Sequence, residues 1–465
     1  MKNRSNLLDN VILKSDSYKF SHFKQYPKGT TEVYSYLESR GGKFGQTLFF
    51  GLQYILKKHL CGKVVSKEKI DQAEKIITQH MGPGNFNRSG WELILEKHDG
   101  MLPIEVKAVR EGTLVNTKNV LMTVRNTDPE CYWLTNFLET ILTQIWAPIT
   151  VASQSFLFKK MIEEFLEKTS DSTESLAFKL HDFGYRGVSS HETAGICGAA
   201  HLLNFSGTDT MAAVSLLNDY YGFAEMPGFS IPASEHSTIT SWGKESEAEA
   251  MENMLDQYPT GLVACVSDSF DIFKACSDIW GTRLKDKILA REGTLVVRPD
   301  SGDPSTIVIQ CLDLLIEKFG FSMTSKGYKL LPPQIRLIQG DGIDLDETRR
   351  ILDKVEAAGY ATDNIAFGSG GALLQKVNRD TMKFAFKCSS ITVKGEEKDV
   401  FKEPITAAFK KSKKGKFKLI HKPGGYTTVN THEEGKDLLE TVFKDGLLLI
   451  DENFEDIKAR TKTEK

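Results

Sequence analysis

The 465 residues can bury at least one large core and leave room for a second domain. A net charge of -3 gives no overall attraction for nucleic acid or an anionic membrane surface, so neither is expected as a partner. The apolar stretches are read as shorter than the roughly 18 residues a bilayer span needs, and MKNRSNLLDNVILKSDSYKF is too polar for a secretory signal. Cysteines 61, 131, 197, 265, 276, 311 and 388 are odd in number and lack a C-x-x-C pair. That is the pattern of reduced, mostly buried thiols, and a cytoplasmic protein is expected.

Along the first 150 residues, VYSYLES, MLPIEVKAVREGTLVNTKNVLMTV and a helical stretch over 133–148 predict an antiparallel sheet with packed helices. From about 176 to 377 strand-like and helix-like runs alternate. LAFKLHD precedes ETAGICGAAHLLNF, GTDT precedes TMAAVSLLNDYYG, FSIPASEHSTI precedes EAEAMENMLDQY, and GLVACVSDS precedes FDIFKACSDIW. Three further units follow: TLVVRPDSGDP with a helix near Ser305, IRLIQGDG with one near Asp346, and NIAFGSGG before ALLQKV. Such alternation predicts an α/β fold, an irregular (β/α) barrel of about seven strands, with an open doubly wound sheet as the alternative. After Met382 the strand-like FAFKCSSITV and KFKLIHKP return. They are expected to pack onto the N-terminal segment, making a discontinuous α+β domain from both chain ends. The expected boundaries are 1–150, 151–385 and 386–465.

Polar residues concentrate after the predicted strands, in HDFGYRG (181–187), GTDT (207–210), SEHST (234–238), SDS (267–269), RPDSG (298–302), QGDG (339–342) and GSGG (368–371). Turns alone need no Arg, His or repeated Asp, so seven such loops in phase with the strands mark the functional face. Glycines let backbone N–H groups approach phosphate oxygens, while Arg298, Asp300 and Asp341 bring charge and metal affinity. Together these loops imply a large, polyphosphorylated ligand.

The motifs DSYKF, YSYLESR, HDFGYRGVSSHETAG, GTDT, EHSTITSWGK, VSDSFDI, RPDSG, YKLLPP, QGDG, IAFGSGGALLQK and SKKGK cover most of the chain. In their order the chain resembles the nicotinamide phosphoribosyltransferases, of the type II phosphoribosyltransferase family. The resemblance implies a homodimer with shared active sites. It also implies synthesis of nicotinamide mononucleotide from nicotinamide and phosphoribosyl pyrophosphate in NAD salvage, with Mg²⁺ and with ATP as a coupled substrate.

The chemistry of the residues agrees. Displacing pyrophosphate from ribose C1 builds positive charge on the sugar and negative charge on the leaving group. Arg186 and Arg298 suit the pyrophosphate, since guanidinium binds phosphate bidentately. Asp268, Asp300 and Asp341 can hold ribose hydroxyls or metal-bound water, Asp300 being the indirect metal contact, and Gly340, Gly370 and Gly371 can cradle a phosphate. The resemblance carries these positions over and adds Arg379 as a further phosphate contact.

Four features have two readings each. Phe183 is a core aromatic, or, as the resemblance implies, one face of a nicotinamide sandwich whose other face is Tyr18 of the partner subunit. Asp209 caps the following helix, or, as the resemblance implies, accepts a hydrogen bond from the carboxamide, where nicotinate would be repelled. His236 packs beside the helix starting near Ser237, or, as the resemblance implies, takes a phosphoryl group from ATP, with Glu235 alongside to orient the imidazole. The basic stretch 409–418 is a solvated hairpin, or part of a set (Arg40, Lys387, Lys402 and Lys410) that the resemblance places near the phosphates across the interface. The turn after Arg40, GGKFGQ, is shorter than in vertebrate members. Rival functions are a nicotinate phosphoribosyltransferase and a catalytically silent nucleotide-sensing protein.

Overall fold

A computed structural model describes residues 7–403 and 412–463. Lys410 therefore lies outside the described residues. The chain divides into two compact units.

One unit comprises 154–217 and 224–377. Its main sheet has six parallel strands, β1 (Leu180–Asp182), β2 (Gly207–Thr208), β3 (Thr260–Val266), β4 (Glu292–Arg298), β5 (Ile335–Gln339) and β6 (Ile365–Ser369), in the order β2-β1-β6-β5-β4-β3, and a separate antiparallel pair joins Ser322–Met323 to Lys329–Leu330. Alternate residues along a strand share one face. Val263 and Cys265, Leu295 and Val297, Ile335 and Leu337, and Ile365 and Phe367 are accordingly buried together.

The two outer strands do not end the sheet. Thr208 N donates to Phe229 O at 2.9 Å and Phe229 N to Ser206 O at 2.7 Å; farther along, Ala264 N donates to Pro232 O at 2.9 Å and Ser234 N to Ala264 O at 3.0 Å. The stretch 229–234 thus closes the sheet as an irregular seventh position, which is the (β/α) barrel expected from sequence.

Helices start where short polar side chains satisfy their first N–H groups. Ser190 caps His191–Leu202, Asp303 caps Pro304–Phe319 with proline in the first turn, and Asp344 caps Leu345–Ala357. The FDIFKACSDIW run begins as a short helix, Ile272–Lys274, and widens into the π-helical Ala275–Arg283, where Trp280 Nε1 donates to Ser267 Oγ at 3.1 Å.

The other unit comprises the chain up to Ser153, Asn218–Phe223, and the chain from Asn378. Its seven-stranded sheet runs Glu396–Asp399, Phe384–Val393, Thr30–Ser39, Val120–Asn126, Ile104–Ala108, Glu440–Lys444 and Leu447–Leu448, antiparallel throughout. Phe384–Val393 pairs along its length with Thr30–Ser39, from Ser39↔Phe384 to Thr30↔Val393. This pairing draws the chain into the α+β unit from Asn378, earlier than the 386 expected from sequence. The short turn after Arg40 is pinned here too, with Arg40 N donating to Lys383 O at 3.2 Å and Lys43 N to Thr381 O at 2.8 Å.

Against expectation, the helical run Glu139–Thr169 is long and apolar enough to cross a membrane, but 72% of its most apolar window is buried inside the protein, as in a core helix. All seven cysteines are unpaired thiols, five of them buried.

Candidate active site

The carboxyl ends of the barrel strands open on a cavity of about 720 Å³. Of the residues singled out from sequence, Phe183, Arg186, Asp209, Glu235, His236, Arg298, Asp300, Gly340, Asp341 and Gly370 line it, joined by Tyr185 and Ser237.

Phe183 leaves β1 with its N–H on Ser369 O at 2.9 Å. Its half-buried ring lies on glycine. A Cβ at Gly368 would come 1.9 Å from Phe183 Cε2, and one at Gly340 would come within 3.3 Å of the same atom. Two bare strand ends therefore let an aromatic wall lie flat at the cavity floor. His181 adds a second ring, its centroid 5.0 Å away and tilted 44°.

Beside this wall stands Asp209. Its Oδ1 accepts from His181 Nε2 at 2.9 Å and from Ser230 Oγ at 2.5 Å, so the side chain serves the cavity and is not a helix cap. Burial pulls its pKa upward, but the His181 hydrogen bond and charge, the Ser230 hydroxyl and the Arg298 charge outweigh this. The net shift is downward, and the group is a carboxylate at neutral pH.

Charge of the other sign lines the same cavity. Arg298 Nη2 donates to Asp300 Oδ2 at 3.3 Å, while the buried Arg298 Nε has no protein partner among the described residues. A buried donor left open is costly, and an oxyanion would satisfy it. Arg186 is exposed at the mouth. Gly371 stands behind the lining: a Cβ at Gly187 would come 3.3 Å from Gly371 N, so two glycine loops touch backbone to backbone.

Asp268 is not a lining residue; it holds His236, with Nε2 and Oδ1 3.0 Å apart. Glu235, expected to orient that imidazole, instead accepts a hydrogen bond from Ser237 Oγ. A carboxylate can only accept, so Nε2 carries the proton, and in the neutral imidazole Nδ1 is the nitrogen with the free lone pair.

The cavity's carboxylates do not converge as a metal trio. Among the described residues the one such trio is His98, Asp128 and Cys131 in the α+β unit, where Asp128 Oδ2 already meets Lys97 Nζ and His98 Nε2, each at 2.7 Å. Magnesium retains several waters and binds through one or two carboxylates plus substrate phosphates, and Asp300 and Asp341 fit that sparse role.

The remaining basic candidates meet in the α+β unit. Arg40, Arg379, Lys387 and Lys402 line a cavity of about 510 Å³, so Arg379 belongs to this group and not to the barrel lining. Arg40 Nε donates to Glu38 at 3.1 Å, but one buried Nη has no partner among the described residues. Burial, and then the charges of Arg40, Lys402 and Arg379, hold the Lys387 pKa below its ordinary value despite Glu139. In the same unit Tyr18 is 59% exposed, its ring edge-on to His22 at 4.8 Å.

Sequence reasoning missed His181 and Ser230. His181 had a signal, since it alternates with Phe183 and so shares its side of β1. Ser230 had none, because its contact depends on how 229–234 closes the barrel.

The family model described as nicotinate phosphoribosyltransferase (NAPRTase) family matches residues 178–447, more than half of the chain. The chain belongs to the nicotinate phosphoribosyltransferase family. As a member it is a phosphoribosyltransferase enzyme. A second model, nicotinamide phosphoribosyltransferase N-terminal domain, matches residues 10–106. The chain is 49% identical to a nicotinamide phosphoribosyltransferase of Xanthomonas campestris pv. campestris (strain 8004), covering 97% of this chain and 98% of that one. It is 33% identical to another from Acinetobacter baylyi, covering 97% of each. Among solved structures, the fold resembles nicotinate-nucleotide pyrophosphorylase from Pyrococcus furiosus, with TM-score 0.62, 13% identity and coverage of 100% and 97%. It also resembles human nicotinic acid phosphoribosyltransferase, with TM-score 0.55, 13% identity and coverage of 99% and 93%.

Proposed function

We propose that this enzyme transfers the phosphoribosyl group of phosphoribosyl pyrophosphate to nicotinamide, forming nicotinamide mononucleotide and pyrophosphate in NAD salvage. The observation that carries the choice of base is Asp209, a carboxylate held beside the Phe183 wall. Nicotinamide stacked on Phe183 can donate its carboxamide N–H to Asp209, whereas nicotinate would set its carboxylate against a like charge. A site built to bond one polar group rejects an analogue lacking it by up to about 10⁴–10⁵-fold.

The pyridine nitrogen forms a bond to ribose C1 as the bond from C1 to the pyrophosphate oxygen breaks. Negative charge grows on the leaving group, which Arg298 and Arg186, lining the cavity, would take up; Asp300 and Asp341 are suited to ribose hydroxyls. Bound Mg²⁺, held by the diphosphate with Asp300 or Asp341, would supply further charge neutralisation.

His236 couples the reaction to ATP. With Nε2–H held by Asp268, the Nδ1 lone pair attacks the terminal phosphorus, the bond to the bridging oxygen breaks and ADP leaves. The resulting phosphohistidine adds acceptor oxygens at the cavity rim and favours substrate capture. The working form is a cytoplasmic homodimer. The partner subunit's Tyr18 covers the second face of the base, while the cluster of Arg40, Arg379, Lys387 and Lys402 meets phosphate across the interface.

Product analysis tests the reading: phosphoribosyl pyrophosphate and Mg²⁺ with nicotinamide or nicotinate, each with and without ATP. Nicotinamide mononucleotide should form at the higher kcat/KM, and ATP should raise it. Preference for nicotinate, or no product from either base, overturns the assignment.

A further inference from the structure

Asp209 does not hold its own orientation. Its side chain is 48% exposed, while that of His181 is 14% exposed, so the histidine is the fixed partner of the pair. The imidazole has room because position 207 is glycine: a Cβ there would come 2.7 Å from His181 Nδ1. Backbone thus closes off that edge of the ring, and Nε2 points at the carboxylate. Since a carboxylate only accepts, both bonds to Asp209 Oδ1 are donations, one from His181 Nε2 at 2.9 Å and one from Ser230 Oγ at 2.5 Å. Two donors on one oxygen fix the carboxylate plane and leave Oδ2 for a ligand donor.

We propose that His181 is a positioning residue that sets base selectivity by locking Asp209 with Oδ2 presented to the carboxamide of the base. The inference rests on the nicotinamide reading given above and adds to it where the discrimination originates. Without the His181 donor, Asp209 rotates toward solvent, the carboxamide loses an aligned acceptor, and the carboxylate of nicotinate no longer faces a fixed like charge. Arg298 acts on Asp209 through its charge, but its own hydrogen bond runs to Asp300 and does not involve His181, so binding of phosphoribosyl pyrophosphate through Arg298, Asp300 and Gly340 stays as it is. The downward pKa shift of Asp209, to which His181 contributes by hydrogen bond and by charge against the upward pull of burial, points the same way.

The experiment compares kcat/KM for nicotinamide and nicotinate in the full-length wild type, His181→Leu, His181→Gln and His181→Asn, with phosphoribosyl pyrophosphate affinity measured by calorimetry. Leucine fills the space without a donor; glutamine returns an N–H near the Nε2 position; asparagine carries an amide too short to reach Oδ1. The ratio of nicotinamide to nicotinate should fall at least about tenfold in the Leu and Asn variants, the worth of one hydrogen bond to a charged acceptor, and be largely restored by Gln. Calorimetric affinity at the wild-type level identifies the folded variants. An unchanged ratio in a folded Leu or Asn variant overturns the proposal, as does a Gln variant no better than Asn. A wild type that prefers nicotinate defeats the underlying nicotinamide reading before any variant is compared.

Discussion

His236 donates its Nε2 proton to Asp268 Oδ1 across 3.0 Å, from a side chain 47% exposed to one only 6% exposed. The buried carboxylate therefore fixes the tautomer of an imidazole that faces solvent and ligand. Removing it in Asp268→Ala should lower ATP hydrolysis and trapped phosphoprotein by about 10- to 100-fold, the usual cost of losing an orienting partner. Slow synthesis without ATP should persist, as it should in His236→Ala, where ATP hydrolysis should vanish. Phosphoprotein at the wild-type level in the Asp268 variant would refute the coupling.

Gly368 and Phe183 offer a steric test of the base site. A methyl at position 368 would lie 1.9 Å from the Phe183 ring, inside any possible contact, so the ring must leave its place. Gly368→Ala should raise KM for nicotinamide by about tenfold or more through loss of the stacking wall, with phosphoribosyl pyrophosphate affinity retained. Titration of both ligands by calorimetry separates the two effects.

If Tyr18 acts across a dimer, defects in Tyr18 and Asp209 should complement. Tyr18→Ala and Asp209→Ser chains, each weak alone, should regain activity when mixed and exchanged, because some sites in the heterodimers carry both native residues. A mixed sample shown by native mass spectrometry to contain heterodimers, yet no more active than its parents, would remove Tyr18 from the site.

Glu111 predicts a pH dependence of stability. It is fully buried, accepting from Gln53 N at 2.7 Å and Tyr221 Oη at 3.0 Å, and burial raises its pKa from 4.5 to about 7. The folded state thus holds a proton that the unfolded chain releases near 4.5. This group's contribution is complete below about 4.5 and is lost as pH rises through about 7. Glu111→Gln, which stays neutral, should remove up to about 3 kcal/mol of that decline. Urea unfolding of both proteins between pH 4.5 and 8 checks it; parallel curves would exclude Glu111 as the source.

Much of the barrel site was legible because its residues follow directly from strand ends. Arg298 ends β4, and Asp209, Gly340 and Gly370 each follow the last residue of a strand, so strand periodicity alone brought them to one face. What escaped depended on contacts between loops distant in sequence. Sequence adjacency suggested Glu235 as the partner of His236, but helix geometry turns it to Ser237 and brings Asp268 across from the next loop. Likewise the resemblance gives Arg379 as a further phosphate contact but not the residues around it. Strand pairing between Ser39 and Phe384 carries it to the α+β unit, beside Arg40.

The irregular closure of the barrel over 229–234 has a dynamic consequence. Every other neighbouring strand pair shares a register of two to seven residues, whereas this stretch touches each flank through a single bridge, Gly207↔Phe229 and Ala233↔Ala264. Few backbone bonds must break to open it, so it should be the first part of the barrel wall to exchange its amide hydrogens. Ser230 rides on this seam and grips Asp209, and two residues past its end stands His236. Breathing of one weak seam would loosen the base pocket and shift the phosphoryl acceptor together, and a ligand that quiets it at one end would steady the other.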